Sequence, residues 1–74
     1  MYKSAKEAII DIERLTKKLN ESNVLGYKVT YIYNPLDTWP WQLLSENDRN
    51  YPVLSYSTAE LLQEAINNLL KAAL

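Results

Sequence analysis

Apolar residues recur at helical spacing near the start of the chain. Ser4 and Glu7 have the spacing of a capping box, in which the serine side chain accepts from the first helical turn. The polar stretch before Gly26 indicates where the helix ends, so we expect a helix over residues 5–21. The apolar residues fill a stripe about 120° wide, which is typical of a helix that lies on a core. They are Ala5, Ala8, Ile9, Ile12, Leu15 and Leu19.

A second stretch of helical periodicity follows near the other end. Ser57 and Glu60 repeat the capping-box spacing, and the pattern predicts a helix over residues 58–73. Its apolar positions spread over roughly 180°, a wider arc than in the first helix. Either this helix lies deeper in the core, or it has apolar surface left over for another chain. The residues that would form the surplus are Leu62, Ile66, Leu70 and the terminal Leu74.

Three segments between the helices have strand character. Residues 27–33 alternate and are rich in aromatic and β-branched side chains, and their odd positions should face the helices. Residues 39–45 and 51–56 are shorter candidates with a proline near the start of each, which favours an edge or a strand end. In the second segment Trp39 and Trp41 share one side, and Gln42 marks the other side as solvent-facing.

The predicted order is therefore helix, strand, strand, strand, helix. Short connections favour antiparallel neighbours. We predict a single α+β domain over residues 1–74, in which a three-stranded antiparallel sheet carries both helices on one face. A domain of this length has a thin core, so each large side chain matters to it.

Composition argues against catalysis. The chain has no cysteine and no histidine, so neither thiolate nor imidazole chemistry is possible. Its single glycine cannot form a glycine-rich phosphate loop. Glu46, Asp48 and Asn50 cluster in one loop, but the glycine and the downstream glutamate of a calcium loop are missing. We therefore predict no catalytic residue, no metal and no cofactor, and we expect that the protein is not an enzyme.

The charge is nearly balanced. Eight basic and nine acidic residues give a net charge of −1 and are spread along the chain. This balance argues against a general attraction to nucleic acid or to anionic membranes. No apolar run has the length that spans a bilayer, and the start has no signal-peptide pattern. We expect a cytoplasmic protein with no membrane partner and no small-molecule substrate.

Tyrosine and tryptophan dominate the aromatic content, with six Tyr, two Trp and no Phe. Both side chains combine a large apolar area with a polar tip, and both are enriched at binding hot spots. We therefore predict a protein–protein interaction module, an adaptor, regulator or inhibitor, that binds another protein or a second copy of itself. A phage or mobile-element inhibitor and an accessory subunit of a larger complex both fit this description. The alternative is a single-stranded nucleic-acid-binding domain that stacks bases on an aromatic sheet face. The candidate partner-binding residues are Ile10, Tyr33, Trp39, Tyr51, Tyr56, Leu62 and Leu70.

Overall fold

The computed structural model describes residues 2–72 and has the predicted order of elements. The three strands form one antiparallel sheet in the order β1-β2-β3, and the α+β fold is confirmed. No helix within residues 2–72 is long and apolar enough to cross a membrane. The elements are α1 (Ala5–Ser22), β1 (Val29–Tyr33), β2 (Trp41–Ser45), β3 (Pro52–Tyr56) and α2 (Ala59–Ala72).

α1 begins and ends on recognisable caps. Ser4 has an extended backbone, and its Oγ accepts from the backbone N–H of Glu7 at 3.2 Å, as the capping box predicts. The helix ends at Asn23, whose φ of 57° is left-handed, and Gly26 follows with a φ of 76°. Asparagine and glycine are the residues that adopt this conformation at the least cost.

α2 begins one residue later than the predicted capping box implies. Thr58 supplies the cap instead of Ser57, because its Oγ1 accepts from the backbone N–H of Leu61 at 3.3 Å. The helix therefore begins at Ala59. Glu60 still lies in the first turn, where the helix dipole favours a negative charge.

Both helices pack on the same face of the sheet. Residues that pair directly across antiparallel strands point to the same side, and the buried residues of α1 and α2 form one cluster with this side of the strands. The odd positions of β1 face the helices, as predicted. The helix-covered face carries Val29, Tyr31, Tyr33, Trp41, Leu43, Leu54 and Tyr56.

The core lies between the sheet and the two helices, and α2 supplies much of it. Leu62 and Ile66 of α2 have no exposed area, like Ile12 of α1 and Leu43 of β2. Burial of each such side chain contributes about 1.5–3 kcal/mol. α2 contacts α1 on one side and the sheet on the other, so its wide apolar arc mostly serves the interior. The expectation that Leu62 and Ile66 belong to a partner surface is therefore wrong.

A β-bulge interrupts the pairing of β2 with β3. Leu43 pairs with Leu54 and Leu44 pairs with Pro52, so Val53 is the extra residue. Because two residues of β3 then oppose one of β2, the alternation of sides is broken, and both Val53 and Leu54 pack against the core. On the opposite face Leu44 is only 6% exposed, so this face is less open to solvent than Gln42 suggested.

Asp11 joins three parts of the chain. Its carboxylate accepts from the Tyr2 hydroxyl at 2.5 Å, from Arg14 at 2.5 Å and from Gln63 of α2 at 3.3 Å. The bond from Tyr2 holds the pKa of Asp11 below its usual range, although burial opposes this effect. Burial, and then the same bond, raise the pKa of Tyr2. The segment before α1, α1 and α2 are therefore linked through one carboxylate.

Candidate functional site

The predicted partner-binding residues differ in exposure. Ile10, Trp39 and Tyr51 are exposed, by 62%, 53% and 77% of their areas. Tyr33, Tyr56 and Leu70 are half-buried and pack against the core, and Leu62 is fully buried. The predicted surplus at Leu74 lies outside the described residues.

The exposed residues of this set do not form one surface. Ile10 lies on α1, Trp39 in the loop between β1 and β2, and Tyr51 in the loop between β2 and β3. Since successive turns of an antiparallel sheet lie at opposite ends of its strands, Trp39 and Tyr51 are separated by the length of β2. Each therefore lies in a different local environment.

Tyr33, Trp41 and Tyr56 form a row across one end of the sheet, on the side covered by the helices. The rings of Tyr33 and Trp41 are stacked, with centroids 4.2 Å apart and an angle of 25° between their planes. Such a pair contributes about 0.5–1.5 kcal/mol beyond its area. The row is mainly structural, because Trp41 is buried and both tyrosines pack against the core.

A cleft of about 350 Å³ lies beside this row, where the first turns of the two helices meet. Lys3 and Glu60 are its charged residues, and Ser57 and Thr58 add hydroxyl groups. Within residues 2–72 no buried side-chain polar atom lacks a hydrogen-bond partner, and no three acidic side chains converge as metal ligands.

The loop between β1 and β2 is held by its own hydrogen bonds. The backbone N–H of Asn34 donates to the carbonyl of Pro40 at 2.9 Å, and that of Asp37 donates to the carbonyl of Asn34 at 3.1 Å. Two side chains add further bonds: Asn34 Oδ1 accepts from the N–H of Leu36, and Asp37 Oδ1 accepts from the N–H of Trp39, both at 3.1 Å. These Asx turns fix the course of the backbone.

This ordered loop exposes its two largest apolar side chains. Leu36 is 95% exposed and Trp39 is 53% exposed. The Gln42 side chain donates to the carbonyl of Trp39 at 2.8 Å, which ties the loop to β2. Leu36 and Trp39 together are called the loop pair below. Sequence reasoning identified Trp39 but missed Leu36, although an apolar residue among turn-forming neighbours has little access to a core.

The two free edges of the sheet differ in chemistry. The groove between β3 and α2, about 490 Å³, is here called the β3–α2 flank, and among residues 2–72 its only charged lining residue is Glu64. The groove beside β1, about 450 Å³, is lined by charged residues of α1, by Lys28 just before β1 and by Glu46 just after β2. Sheet edges guarded by charge resist association, whereas apolar edges invite it. The apolar residues of the β3–α2 flank are Leu54, Tyr56, Leu61, Ala65 and Leu69.

The β1 edge is also occupied by a side chain. Asn20 of α1 donates through Nδ2 to the carbonyl of Val29 and accepts through Oδ1 from its N–H, both at 2.9 Å. A strand partner would use the same two backbone groups. On α2, the exposed apolar surface lies on the β3 side. Leu61 is 43% exposed there, whereas the neighbouring Leu62 is fully buried.

The uncovered face of the sheet lacks the aromatic platform that the nucleic-acid alternative requires. Thr30 pairs with Leu44, and Ile32, Gln42 and Ser55 form the next row. All the aromatic residues of the three strands lie on the helix-covered face. Base stacking on the uncovered face has no ring to use within these strands.

Comparisons of the chain with protein-family models, with curated proteins and with solved structures return no match. Two surfaces within residues 2–72 expose several apolar side chains, the loop pair and the β3–α2 flank.

Proposed function

We propose that the protein is a non-catalytic protein–protein interaction module, an adaptor, regulator or inhibitor, that binds its partner through the loop pair. One observation carries this proposal. Leu36 and Trp39 are exposed on a loop whose backbone is already fixed by hydrogen bonds between its own residues. The surface that such a pair fits is an apolar cleft on another protein.

Order in the free loop favours tight binding. Fixing one flexible residue costs about 1–2 kcal/mol, and a loop ordered before binding avoids much of this cost. Tryptophan is the residue most enriched at hot spots, where its truncation costs about 2 kcal/mol or more. The loop pair therefore combines a rigid support with a side chain of the kind that dominates binding energies.

Nucleic-acid binding has less support. A single-strand binder needs exposed rings along a basic groove. The exposed rings are those of Tyr27, Trp39 and Tyr51, Trp39 and Tyr51 lie at opposite ends of the sheet, and the net charge is −1.

The test uses the tagged chain as bait in lysate of its native host, with chemical crosslinking and quantitative mass spectrometry. The double variant Leu36→Ser/Trp39→Ala should capture its specific partner about thirtyfold less well than the wild type, as the loss of a hot spot implies. Tyr51→Ser is the matched control, because it removes a ring that is 77% exposed at the other end of the sheet. Equal capture by wild type and double variant, or loss of capture with Tyr51→Ser alone, refutes the assignment to the loop pair.

A second variant separates the contribution of loop order to binding from that of the apolar side chains. Asp37→Ala removes the bond to the N–H of Trp39 but leaves both apolar side chains in place. With a purified partner, calorimetry should show weaker binding, by about fivefold, through a larger entropic cost. Unchanged affinity in this variant would show that pre-ordering does not contribute.

A further inference from the structure

We propose that two copies of this chain associate through the β3–α2 flank, about a two-fold axis that passes beside Ala65. This contact is separate from the loop pair. It is supported by the spacing of the flank residues on α2, by their polarity and by the contrast with the guarded β1 edge.

The apolar residues of the flank on α2 are arranged symmetrically. Leu61, Ala65 and Leu69 are four residues apart and form one stripe along the helix. Ala65 is in the middle, with a leucine one turn away on either side. If two such helices lie antiparallel with Ala65 beside Ala65, Leu61 of each copy meets Leu69 of the other. A two-fold axis requires this self-complementarity, and the small residue at the axis allows close approach.

The polar residues of the flank fit the same arrangement. Glu64 and Asn68 both line the groove. In the antiparallel pair, Glu64 of one copy lies near Asn68 of the other, and this contact occurs twice. A carboxylate only accepts hydrogen bonds, whereas an amide nitrogen donates them, so the two groups are complementary. A second copy therefore supplies an amide donor to Glu64 without a basic partner, and this donor offsets the repulsion between the two Glu64 carboxylates near the axis.

Side chains, more than strand pairing, should hold the two copies together. β3 begins with Pro52, which has no N–H to donate, and the adjacent bulge disturbs the line of its edge. The flank lies on a domain with extents of 30 × 27 × 15 Å, so the contact is small. The groove has seven lining residues among those described, against about 20–30 residues a side in a standard interface, and we expect a dissociation constant on the order of 100 μM.

Sedimentation velocity on the full chain, from about 10 μM to about 1 mM, tests the association. The wild type should shift from monomer to dimer over this range. Ala65→Glu and Ala65→Lys should each remain monomeric, with association weakened at least tenfold, because each places like charges opposite one another at the axis. A 1:1 mixture of these two variants should recover the dimer, since the opposed charges then attract.

Controls make each outcome decisive. Glutamate and lysine are both good helix formers, and far-UV circular dichroism checks that each variant is folded. Ile10→Lys, at an exposed apolar position on α1, should dimerise like the wild type. A wild type that is monomeric throughout overturns the proposal. So does dimerisation of the single Ala65 variants, or a mixture that stays monomeric. Leu36→Ser/Trp39→Ala should still dimerise, so failure of either proposal is distinguishable from failure of the other.

Discussion

Replacement of Asn20 by alanine should destabilise the protein more than the modest size of the side chain suggests. Asn20 provides both a donor and an acceptor to the backbone of Val29, each at 2.9 Å. Val29 is 1% exposed, so water has little access to its backbone once the amide is removed. The substitution leaves two backbone groups unpaired at the start of β1.

The magnitude follows from these two bonds. A buried polar group that loses its partner costs about 1–3 kcal/mol, and alanine returns about 0.5 kcal/mol through its higher helix propensity. We expect a net loss of about 3 kcal/mol, a large share of the stability of a domain this small. The melting temperature should fall by about 12–24 °C, since 1 kcal/mol corresponds to about 4–8 °C at this chain length.

Urea denaturation followed by circular dichroism measures the loss. Glu21→Ala is the matched control, because Glu21 is the exposed neighbour on the same helix and should change the free energy of unfolding by less than about 0.5 kcal/mol. Asn20→Asp keeps the acceptor for the N–H of Val29 but places a carboxylate oxygen, which cannot donate, against the carbonyl of Val29, so it should also destabilise the protein. If Asn20→Ala and Glu21→Ala unfold at the same urea concentration, the reasoning about the β1 edge is wrong.

Three further predictions concern the core, a turn and the loss of stability at acid pH. Leu43→Ala should lower the free energy of unfolding by about 2–5 kcal/mol in urea, because Leu43 has no exposed area; a loss below 1 kcal/mol would contradict its place in the core. Gly26→Ala should lower the free energy of unfolding by about 1–2 kcal/mol through the φ of 76° alone, since an added Cβ meets nothing within 4 Å. Gly26→Asn should cost less, and equal melting temperatures of the two variants would refute this. Asp11 has a lowered pKa in the folded state, so it contributes stability at neutral pH that is lost as the pH falls below about 4 and through the folded pKa. Asp11→Asn should therefore flatten the decline of melting temperature between about pH 5 and 2, and an unchanged decline would show that Asp11 is not responsible.

The elements and their order could be predicted because their signals are local. The bond from Glu7 to Ser4 depends on residues three apart, and the alternation in β1 depends on the pleat alone. The strand ends were less predictable. Trp39 belongs to the predicted second strand, but its N–H is bonded to Asp37, so the strand begins only at Trp41. Such local bonds compete with the sheet ladder.

The candidate site was predicted less well, because exposure depends on tertiary packing. Leu61 and Leu62 are neighbours on α2, separated by about 100° around the helix. One is exposed and the other is fully buried, and only the positions of α1 and the sheet decide which. The periodicity indicated that α2 has a wide apolar arc, but it could not indicate which part of the arc remains uncovered.

The contact between α1 and α2 also has a consequence for biosynthesis. Asp11 and Gln63 are 52 positions apart, whereas every pair of neighbouring strands is joined by a short turn. A ribosome releases α1 and the sheet before α2, so the nascent chain first exposes a sheet face that has no second helix to cover it. The interior can close only when Leu62 and Ile66 leave the exit tunnel, so this unit should complete its folding only after α2 has emerged from the ribosome.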